Sequence, residues 1–426
     1  MADECAGWTD REGNRHDCQF TFERDNYRFS GQLYCRFHLP MGRPGHGGKA
    51  DWDEQQKVAI SDGFINLINR EVAEGSNPER TPEELDFSGI VVPGRLVMVQ
   101  TTVGPVRLRG ARFYERAEFM VTQFQGAAWF DEVQFHKDAW FSETQFLDDV
   151  WFPKAQFSER AAFIDTRFHG DPTFEGVQFR KEAYFGVSTS TVPPEAKRFN
   201  AISFKDSRFA EIADFSNREF HNRTDFTGCV FERAPNFHGS ALHQNTIFGQ
   251  IDGFRDLTSP VSERAYRTLR QAMEAHRARV EEGMFYALEQ KARRHRVSRI
   301  DPAYWVSLGY EHGSDYGLSV WRPLAWMLGG IVSSVFLLWC IGIGVFGVTG
   351  HAAANPAAVI NDALLFSTRQ TFLPFDALRT TDAILAEYTF NPGGTGWLRA
   401  WGTVLSLFEA LAGLLLILAV RWRYRR

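Results

Sequence analysis

The amino-terminal part of the sequence contains four residues of the types that bind zinc. They are Cys5, Cys18, Cys35 and His38, and the last two form a Cys-x-x-His motif within YCRFHLP. Thiolates and imidazoles are preferred zinc ligands, and four of them complete the tetrahedral shell of a structural site. A short polar segment with little core of its own would gain stability from such a staple. These residues therefore predict a structural zinc ion as cofactor.

Two alternatives remain open at this site. The spacing of the three cysteines is irregular, and His16 is a rival for the nitrogen ligand. The same residues are also compatible with reduced, partly buried thiols in a cytosolic protein, because a free cysteine behaves as a small hydrophobic residue.

A second candidate site lies near the carboxyl end, where one carboxylate interrupts an apolar segment. Glu409 stands in the middle of that segment. A carboxylate within a membrane span is costly and usually faces a protein interior or water. We therefore interpret Glu409 as a pore-lining or subunit-contact residue, together with Ser367 and Thr371. The alternative is a neutral Glu409, or one hydrogen-bonded to Ser406 or Thr403.

Composition limits the classes of protein that fit this chain. Its 426 residues allow two or three structural units. The net charge of −5 argues against a chain built wholly to bind nucleic acid, and five scattered cysteines are too few for a disulfide scaffold. The polar start has no apolar core of a signal peptide, so we expect the amino-terminal part to stay in the cytoplasm. The motifs of nucleotide hydrolases, zinc proteases, serine hydrolases and dinucleotide enzymes are missing, so we expect no enzyme activity.

Phenylalanine dominates the middle of the chain. The sequence contains 38 of them, and from Phe113 to Phe185 they recur at alternating intervals of six and five. The position two residues earlier is usually small, as Ala128 is before Phe130. Residues two apart lie on one side of an extended chain, so the small and the large residue share an interior. Four short sides of five, six, five and six residues give a stacked coil of 22 residues.

This pattern resembles the pentapeptide-repeat family, whose central position is Leu or Phe and whose minus-two position is Ala. The segments AWF (128–130) and VQF (133–135) carry the resemblance. It implies a right-handed quadrilateral β-helix over 86–255, of bacterial style, with an excursion loop at 186–198. The extra residue in alternate units predicts a bulge in one pair of sides.

Three tryptophans precede repeat phenylalanines and should point outward. A 22-residue coil places Trp129 over Trp151 on one side and Trp140 on the opposite side. These tryptophans form either a surface that binds a cytoplasmic protein partner or a ladder that stabilises the solenoid by stacking. Residues 111–185 carry 13 acidic and 8 basic residues, which is too mixed a surface for mimicry of DNA. We therefore expect no nucleic-acid partner.

Helical segments flank the repeats on both sides. Residues 1–85 form a cap segment in which 55–73 reads as an amphipathic helix. Residues 256–320 form a basic helical linker, with a break predicted at 281–283 (EEG). Its densest part, KARRHRVSR (291–299), is typical of a segment that contacts anionic membrane lipid. The alternative is an ordinary solvated helical face.

Residues 321–426 have the pattern of a membrane module. Two apolar segments, 324–348 and 400–420, are long enough to span a bilayer. Arginines precede the first and follow the second, so the positive-inside rule predicts a cell-membrane protein with both termini in the cytoplasm. Between the spans, 357–375 reads as a re-entrant helix.

Span, short helix and span is the layout of two-helix potassium channels, and residues 320–426 resemble that module. ALLFSTRQTF resembles their pore helix. The following residues, LPFDA (373–377), contain no glycine, whereas a potassium filter needs a TVGYG-like run. Potassium selectivity therefore cannot be carried over.

Two functions follow from these elements. The first is a membrane-anchored cytoplasmic interaction scaffold built on the β-helix. The alternative is an ion channel-like pore without a potassium-type filter, regulated by the β-helix, and the resemblance would make it a homo-tetramer.

Overall fold

The computed structural model of the chain describes two compact units, Met1–Arg293 and Arg294–Arg426. The described residues are 5–18, 26–30, 32–75, 85–188, 193–344, 356–372 and 395–424.

The first unit begins with a capping region. Its strands form two antiparallel hairpins, Trp8–Thr9 with Arg15–His16 and Asn26–Phe29 with Gln32–Cys35. A 3-10 turn at Lys49–Asp51 leads into helix α1, Glu54–Gly75, which matches the predicted amphipathic helix. Phe64 of α1 packs edge-on against Phe87 of the first coil at 4.6 Å between ring centroids. The apolar face of α1 therefore closes the amino-terminal end of the solenoid core.

The repeats form a β-solenoid with four parallel ladders of very short strands. Side 1 consists of Leu85–Asp86, Val106–Arg107, Ala128–Trp129 and Val150–Trp151, and resumes as Ile202–Ser203, Thr224–Phe226 and Ile247–Phe248. Side 2 consists of Val91–Val92, Arg112–Phe113, Gln134–Phe135, Gln156–Phe157, Gln178–Phe179, Arg208–Phe209 and Val230–Phe231. Side 3 consists of Leu96–Val97, Ala117–Glu118, Ala139–Trp140, Ala161–Ala162, Ala183–Tyr184 and Ala213–Asp214. Side 4 consists of Thr102–Val103, Gln123–Phe124, Gln145–Phe146 and Arg167–Phe168, and resumes as Arg198–Phe199 and Glu219–Phe220.

Phenylalanine rings fill the interior in columns. Phe113 pairs in register with Phe135, and Phe135 with Phe157, which confirms the coil of 22 residues. Successive rings in this column stack at 5.1 and 5.0 Å, nearly parallel. Rings of neighbouring columns meet edge-on, as Phe130 and Phe141 do at 5.7 Å and 90°. Both geometries suit the ring quadrupole, so one residue type can fill most of the interior, beside the small residues at the minus-two positions.

Two kinds of corner explain the alternation of five and six residues. After Phe119 the chain turns through a β-turn closed by the amide of Thr122, with Val121 left-handed at φ 57°. The next corner, between strands Gln123–Phe124 and Ala128–Trp129, has three residues and no such turn. The ladders themselves keep an even register, so the predicted bulge in the sides was wrong and the extra residue is taken up at the corners.

The amino-terminal hairpin lies along one corner of the solenoid. Trp8 covers Gly89 and Gly110, both left-handed, and a Cβ at either position would come within 2.0 and 2.5 Å of the indole. Glycine is therefore required there both for the turn and for the close approach of the ring. Lys154 of the solenoid forms an ion pair with Glu12 of the hairpin at 3.0 Å, so the contact between the two extends beyond Trp8.

The predicted excursion interrupts the ladders without changing their pairing. On side 2, Gln178 pairs with Arg208, so this step spans 30 residues instead of 22. The inserted segment includes a short helix, α2, at Pro194–Lys197. The inserted residues thus lie outside the ladders, and the strands after them pair in the same register as before.

Two helices close the carboxyl end of the solenoid. Helices α3, Ser262–Ala275, and α4, Arg279–Arg296, follow a 3-10 turn at Ile251–Gly253. Phe285 of α4 packs edge-on against Phe248 and Phe254 at 5.0 and 5.2 Å. The break predicted at 281–283 was wrong: the chain breaks at Arg277, which is left-handed at φ 57°, while Gly283 is buried within α4.

The second unit is helical. It consists of α5, Pro302–Ser314, α6, Trp321–Gly344, α7, Pro356–Phe372, and α8, Thr395–Tyr424. Within the described residues, Trp321–Cys340 and Ala400–Arg421 are long and apolar enough to cross a membrane. Helix α7 occupies most of the predicted re-entrant segment and packs against both α6 and α8. Residues 373–377, which stand where a potassium channel has its filter, lie outside the described residues.

Candidate functional site

The four predicted metal ligands come together in the amino-terminal cap. Their ligand atoms all lie within 4.8 Å of one another. Cys35 ends a strand and His38 follows on the adjoining turn, so this pair comes from one loop. Cys18 Sγ lies 3.7 Å from Cys35 Sγ, and His38 Nδ1 lies 3.6 Å from Cys35 Sγ and 3.7 Å from Cys5 Sγ.

These distances match the edges of a metal-centred tetrahedron. Bonds of about 2.3 Å to sulfur and about 2.0 Å to nitrogen place tetrahedral ligand atoms roughly 3.5–3.8 Å apart. The three measured separations, between 3.6 and 3.7 Å, fall in that range. The cluster has the donor types and the size to bind a metal ion.

The surroundings of the cluster also suit a metal centre. The second ring nitrogen of His38, Nε2, bonds to the carbonyl of Ser88 at 3.0 Å, which leaves Nδ1 facing the sulfurs. The amide of Cys35 donates to Cys5 Sγ at 3.1 Å. Hydrogen bonds with Cys18 lower the pKa of the Cys5 thiol and raise the pKa of Cys35, so one thiolate, at Cys5, is favoured within the cluster. His16 lies apart and bonds to Asp10 instead.

The three outward tryptophans lie where the 22-residue coil predicts. On side 1, Trp129 and Trp151 stack with centroids 5.2 Å apart, and the Arg107 guanidinium lies 4.9 Å from the Trp129 ring. On side 3, the Arg116 guanidinium lies 4.5 Å from the Trp140 ring. All three indoles are half-buried. Stacking thus stabilises the ladder, and each indole still presents an edge to solvent.

A buried arginine holds the excursion loop, and the sequence reading missed it. Arg218 occupies a minus-two position, which is normally small, and it is fully buried. Its guanidinium donates to the carbonyls of Phe163 and Thr166 at 3.0 Å, and also to those of Phe185 and Ala196. Burial lowers the pKa of Arg218 to about 9, which leaves it charged at neutral pH. The only available signal was a charged residue in a register position reserved for alanine.

Polar residues of the second unit face one another between the helices. Ser334 of α6 accepts hydrogen bonds from Ser367 of α7 and from the indole of Trp401, both at 3.0 Å. Ser406 of α8 donates to the side-chain carbonyl of Gln370 at 2.8 Å. Ser406, one of the two alternative hydrogen-bond partners considered for Glu409, is therefore bonded to another residue. Thr371, half-buried, donates to a main-chain carbonyl of its own helix.

Glu409 is buried without a hydrogen-bond partner. Its side chain faces α6 beside Gly330, where a Cβ would come within 2.3 Å of Oε1. Only 1% of the residue is exposed, and neither carboxylate oxygen has a partner among the described residues. The structure thus places Glu409 and Ser367 inside the helix cluster. Their role as pore or subunit contacts stays a prediction.

Comparison with known families identifies the repeats. Residues 122–163 and 141–189 match the family model for pentapeptide repeats (9 copies). The resemblance inferred from the phenylalanine spacing is therefore confirmed over this part of the β-solenoid. No curated protein and no solved structure matches the chain.

Proposed function

We propose that this pentapeptide-repeat β-solenoid serves as a membrane-anchored interaction scaffold without catalytic activity. The observation that carries the anchor is the distribution of side chains on α6 and α8. The exposed residues include Leu328 at 64%, Val332 at 67% and Ile417 at 65%, whereas Ser334 and Glu409 are buried.

This arrangement is the reverse of a water-soluble helix pair. Only 22% and 28% of the residues in the two apolar windows are buried, so they do not resemble core helices of a soluble domain. Large exposed apolar surfaces are costly in water and favourable in hydrocarbon, where polar groups must instead be satisfied inside the protein. A bilayer is the solvent that suits both faces.

The charges at the helix ends support one orientation in the cell membrane. Arg322 lies at the start of α6, and Arg421 and Arg423 lie at the end of α8. Because basic residues favour the cytoplasmic side, we assign both termini and the β-solenoid to the cytoplasm.

Extraction and labelling test the anchor and its orientation. Full-length protein should stay with membranes after alkaline extraction and float with liposomes. A reporter fused to the carboxyl terminus should be reached only after the membrane is opened. Release of the protein by alkali would contradict the anchor, and labelling from outside would contradict the orientation.

We assign partner binding to the two tryptophan-bearing sides. Trp and Arg are the residues that most often dominate protein interfaces. Here Arg107 lies against the ring of Trp129 and Arg116 against the ring of Trp140. A photo-crosslinking residue at position 140 should capture one defined cytoplasmic protein in intact cells. The same residue at Leu147, an exposed position on side 4, is the matched control. Equal capture at both positions, or none at position 140, would count against these sides.

Ion conduction is the second candidate function, and Glu409 is the observation that favours it. A buried carboxylate without a partner inside a span is typical of an ion or proton path. By resemblance to two-helix channels, the pore would lie on the axis of a homo-tetramer. Cation flux through liposomes containing the full-length protein should then be abolished by Glu409→Gln and kept by Ser333→Ala. Absence of flux under varied voltage, pH and cations would leave the helices as an anchor.

We propose that the metal of the cap is zinc and that its role is structural. Four protein ligands fill a tetrahedral shell and leave no open position for chemistry. Purified full-length protein should contain one zinc per chain, Cys35→Ser should lose it, and Cys229→Ser should keep it because Cys229 lies buried in the solenoid. Protein that is fully folded and free of metal would overturn this assignment.

The basic segment 291–299 is proposed to contact anionic lipid. Arg294 is paired with Glu311, whereas Arg293 and Arg299 are exposed. Each basic residue near an anionic surface contributes about 1 kcal/mol. Neutralising the two exposed arginines should reduce photo-crosslinking of this segment to anionic lipid in liposomes, with no change for zwitterionic lipid.

A further inference from the structure

An apolar groove of about 410 Å³ opens between three helices of the second unit. Trp305 and Leu308 of α5 form one wall, and Trp326 near the start of α6 forms the second. Phe408 and Leu411 of α8 form the third. The groove is therefore lined mainly by aromatic and aliphatic side chains.

Glycines on α5 shape this groove. At Gly313 a Cβ would come within 2.6 Å of Leu415, so the two helices touch there. One turn earlier, nothing lies within 4 Å of the Cβ position of Gly309. The helices thus meet at one end and separate along the groove. The indole of Trp326 donates to the carbonyl of His312 at 3.1 Å and fixes α6 against α5.

The groove lies near the basic ends of both spans. Trp326 follows Arg322 by four residues, and the α8 residues of the groove, Phe408 to Leu415, precede Arg421 by 13 to six. At 1.5 Å per residue, the groove lies about 6 Å from the basic end of α6 and extends from about 9 to about 20 Å from that of α8. In the orientation proposed above, these depths are those of the acyl chains of the cytoplasmic leaflet. Arginines of this kind attract anionic headgroups, and tryptophans mark the interface.

We propose that this groove binds one acyl chain of a membrane phospholipid, with its phosphate headgroup toward the basic ends of the spans. The proposal rests on the membrane anchor. A peptide is a poorer occupant, because its backbone would need hydrogen-bond partners that an apolar groove inside a bilayer does not offer. A hydrocarbon chain needs none, and every buried methylene adds to its binding.

Photo-crosslinking in nanodiscs tests this site. Full-length protein is reconstituted with phosphatidylglycerol or phosphatidylcholine that carries a photoactivatable acyl chain, and labelled peptides are mapped. Gly309→Trp fills the groove and should lower labelling of α5 and of residues 408–415 by roughly tenfold, the effect of displacing about two methylenes. Gly329→Trp is the matched control, because its Cβ position on α6 also has nothing within 4 Å but lies outside the groove.

A second matched pair guards against a folding defect. Leu411 and Leu414 are 57% and 52% exposed on α8, but only Leu411 lines the groove. Leu411→Asn should reduce labelling, whereas Leu414→Asn should not. Labelling spread over the exposed faces of both spans, and equal in both pairs, would mean ordinary boundary lipid and would overturn the site.

Different measurements test the headgroup preference and the membrane anchor. Phosphatidylglycerol should label the groove roughly fivefold more than phosphatidylcholine, given the arginines at its basic end. Equal labelling would overturn the headgroup assignment. Protein that does not enter nanodiscs at all would instead refute the membrane anchor, so the two failures are distinguishable.

Discussion

Replacing Arg218 by methionine should loosen the excursion loop while leaving the rest of the solenoid in place. In the coil below, the carbonyl of Thr144 accepts from the amide of Arg167 at 2.8 Å. One coil higher the chain leaves the ladder, and the guanidinium of Arg218 takes over the equivalent carbonyl of Thr166. Arg218 thus stands in for the ladder hydrogen bonds that the insertion removes.

The size of the effect follows from the bonds that are lost. Four carbonyls lose a charged donor, and an acceptor left unsatisfied in a buried place costs about 1–3 kcal/mol. Methionine also removes a buried cation, which offsets part of this cost. We expect a net local loss of about 3 kcal/mol, or roughly 100-fold in the opening equilibrium.

Hydrogen exchange of the full-length protein measures this change. In Arg218→Met, amides of 193–204 should exchange roughly 100-fold faster, with little change in the coils before Phe157. Arg208→Met is the matched control, because this arginine forms an exposed pair with Glu232 on side 2 and should contribute less than about 1 kcal/mol. Equal exchange in the two variants would refute the assigned role of Arg218.

Further substitutions test the phenylalanine core, a buried thiol and the packing of the second unit. Phe141→Leu removes ring contacts at 4.8 and 4.9 Å to Phe119 and Phe163, and should lower the free energy of unfolding by about 2 kcal/mol. Denaturant titration measures this change, and Leu147→Ala on the surface should change the free energy of unfolding little. Burial raises the pKa of Cys229 to about 12, so its thiol stays protonated at pH 8. After treatment of the folded protein with an alkylating reagent, peptide mass spectrometry should find Cys229 unmodified, whereas the exposed cysteine of Leu147→Cys should be alkylated. Gly330→Leu collides with Glu409 and should lower the thermal stability of the second unit by about 1–3 kcal/mol, unlike Gly329→Leu, and equal melting temperatures would contradict the packing.

The periodic parts of the structure were predictable from sequence because the spacing of the repeat residues determines the length of each coil. The phenylalanine spacing predicted the coil length, the inward side chains and the stacking of Trp129 over Trp151. The metal cluster was predictable from residue types alone. Its assembly requires the chain to bring Cys5 and Cys18 next to Cys35, and the local sequence does not predict that path.

What sequence reading missed depends on tertiary context. Gly283 looked like a helix breaker, but it is buried where α4 packs, and the break falls at Arg277. Ser406 looked like a partner for Glu409 on the same helix, yet it bonds to Gln370 of a neighbouring helix. Residues distant in sequence decide such contacts, and neither periodicity nor spacing records them.

Spin-label accessibility tests whether the apolar faces of α6 and α8 contact lipid while their polar residues face the protein interior. Full-length protein in liposomes would carry a label at Val332, at Ser334 or, as a water-exposed reference, at Gln178. We expect oxygen, but not a water-soluble nickel chelate, to reach the label at position 332. Neither reagent should reach position 334, and the chelate should reach position 178. Access of the chelate to position 332 equal to that at position 178 would contradict the membrane anchor.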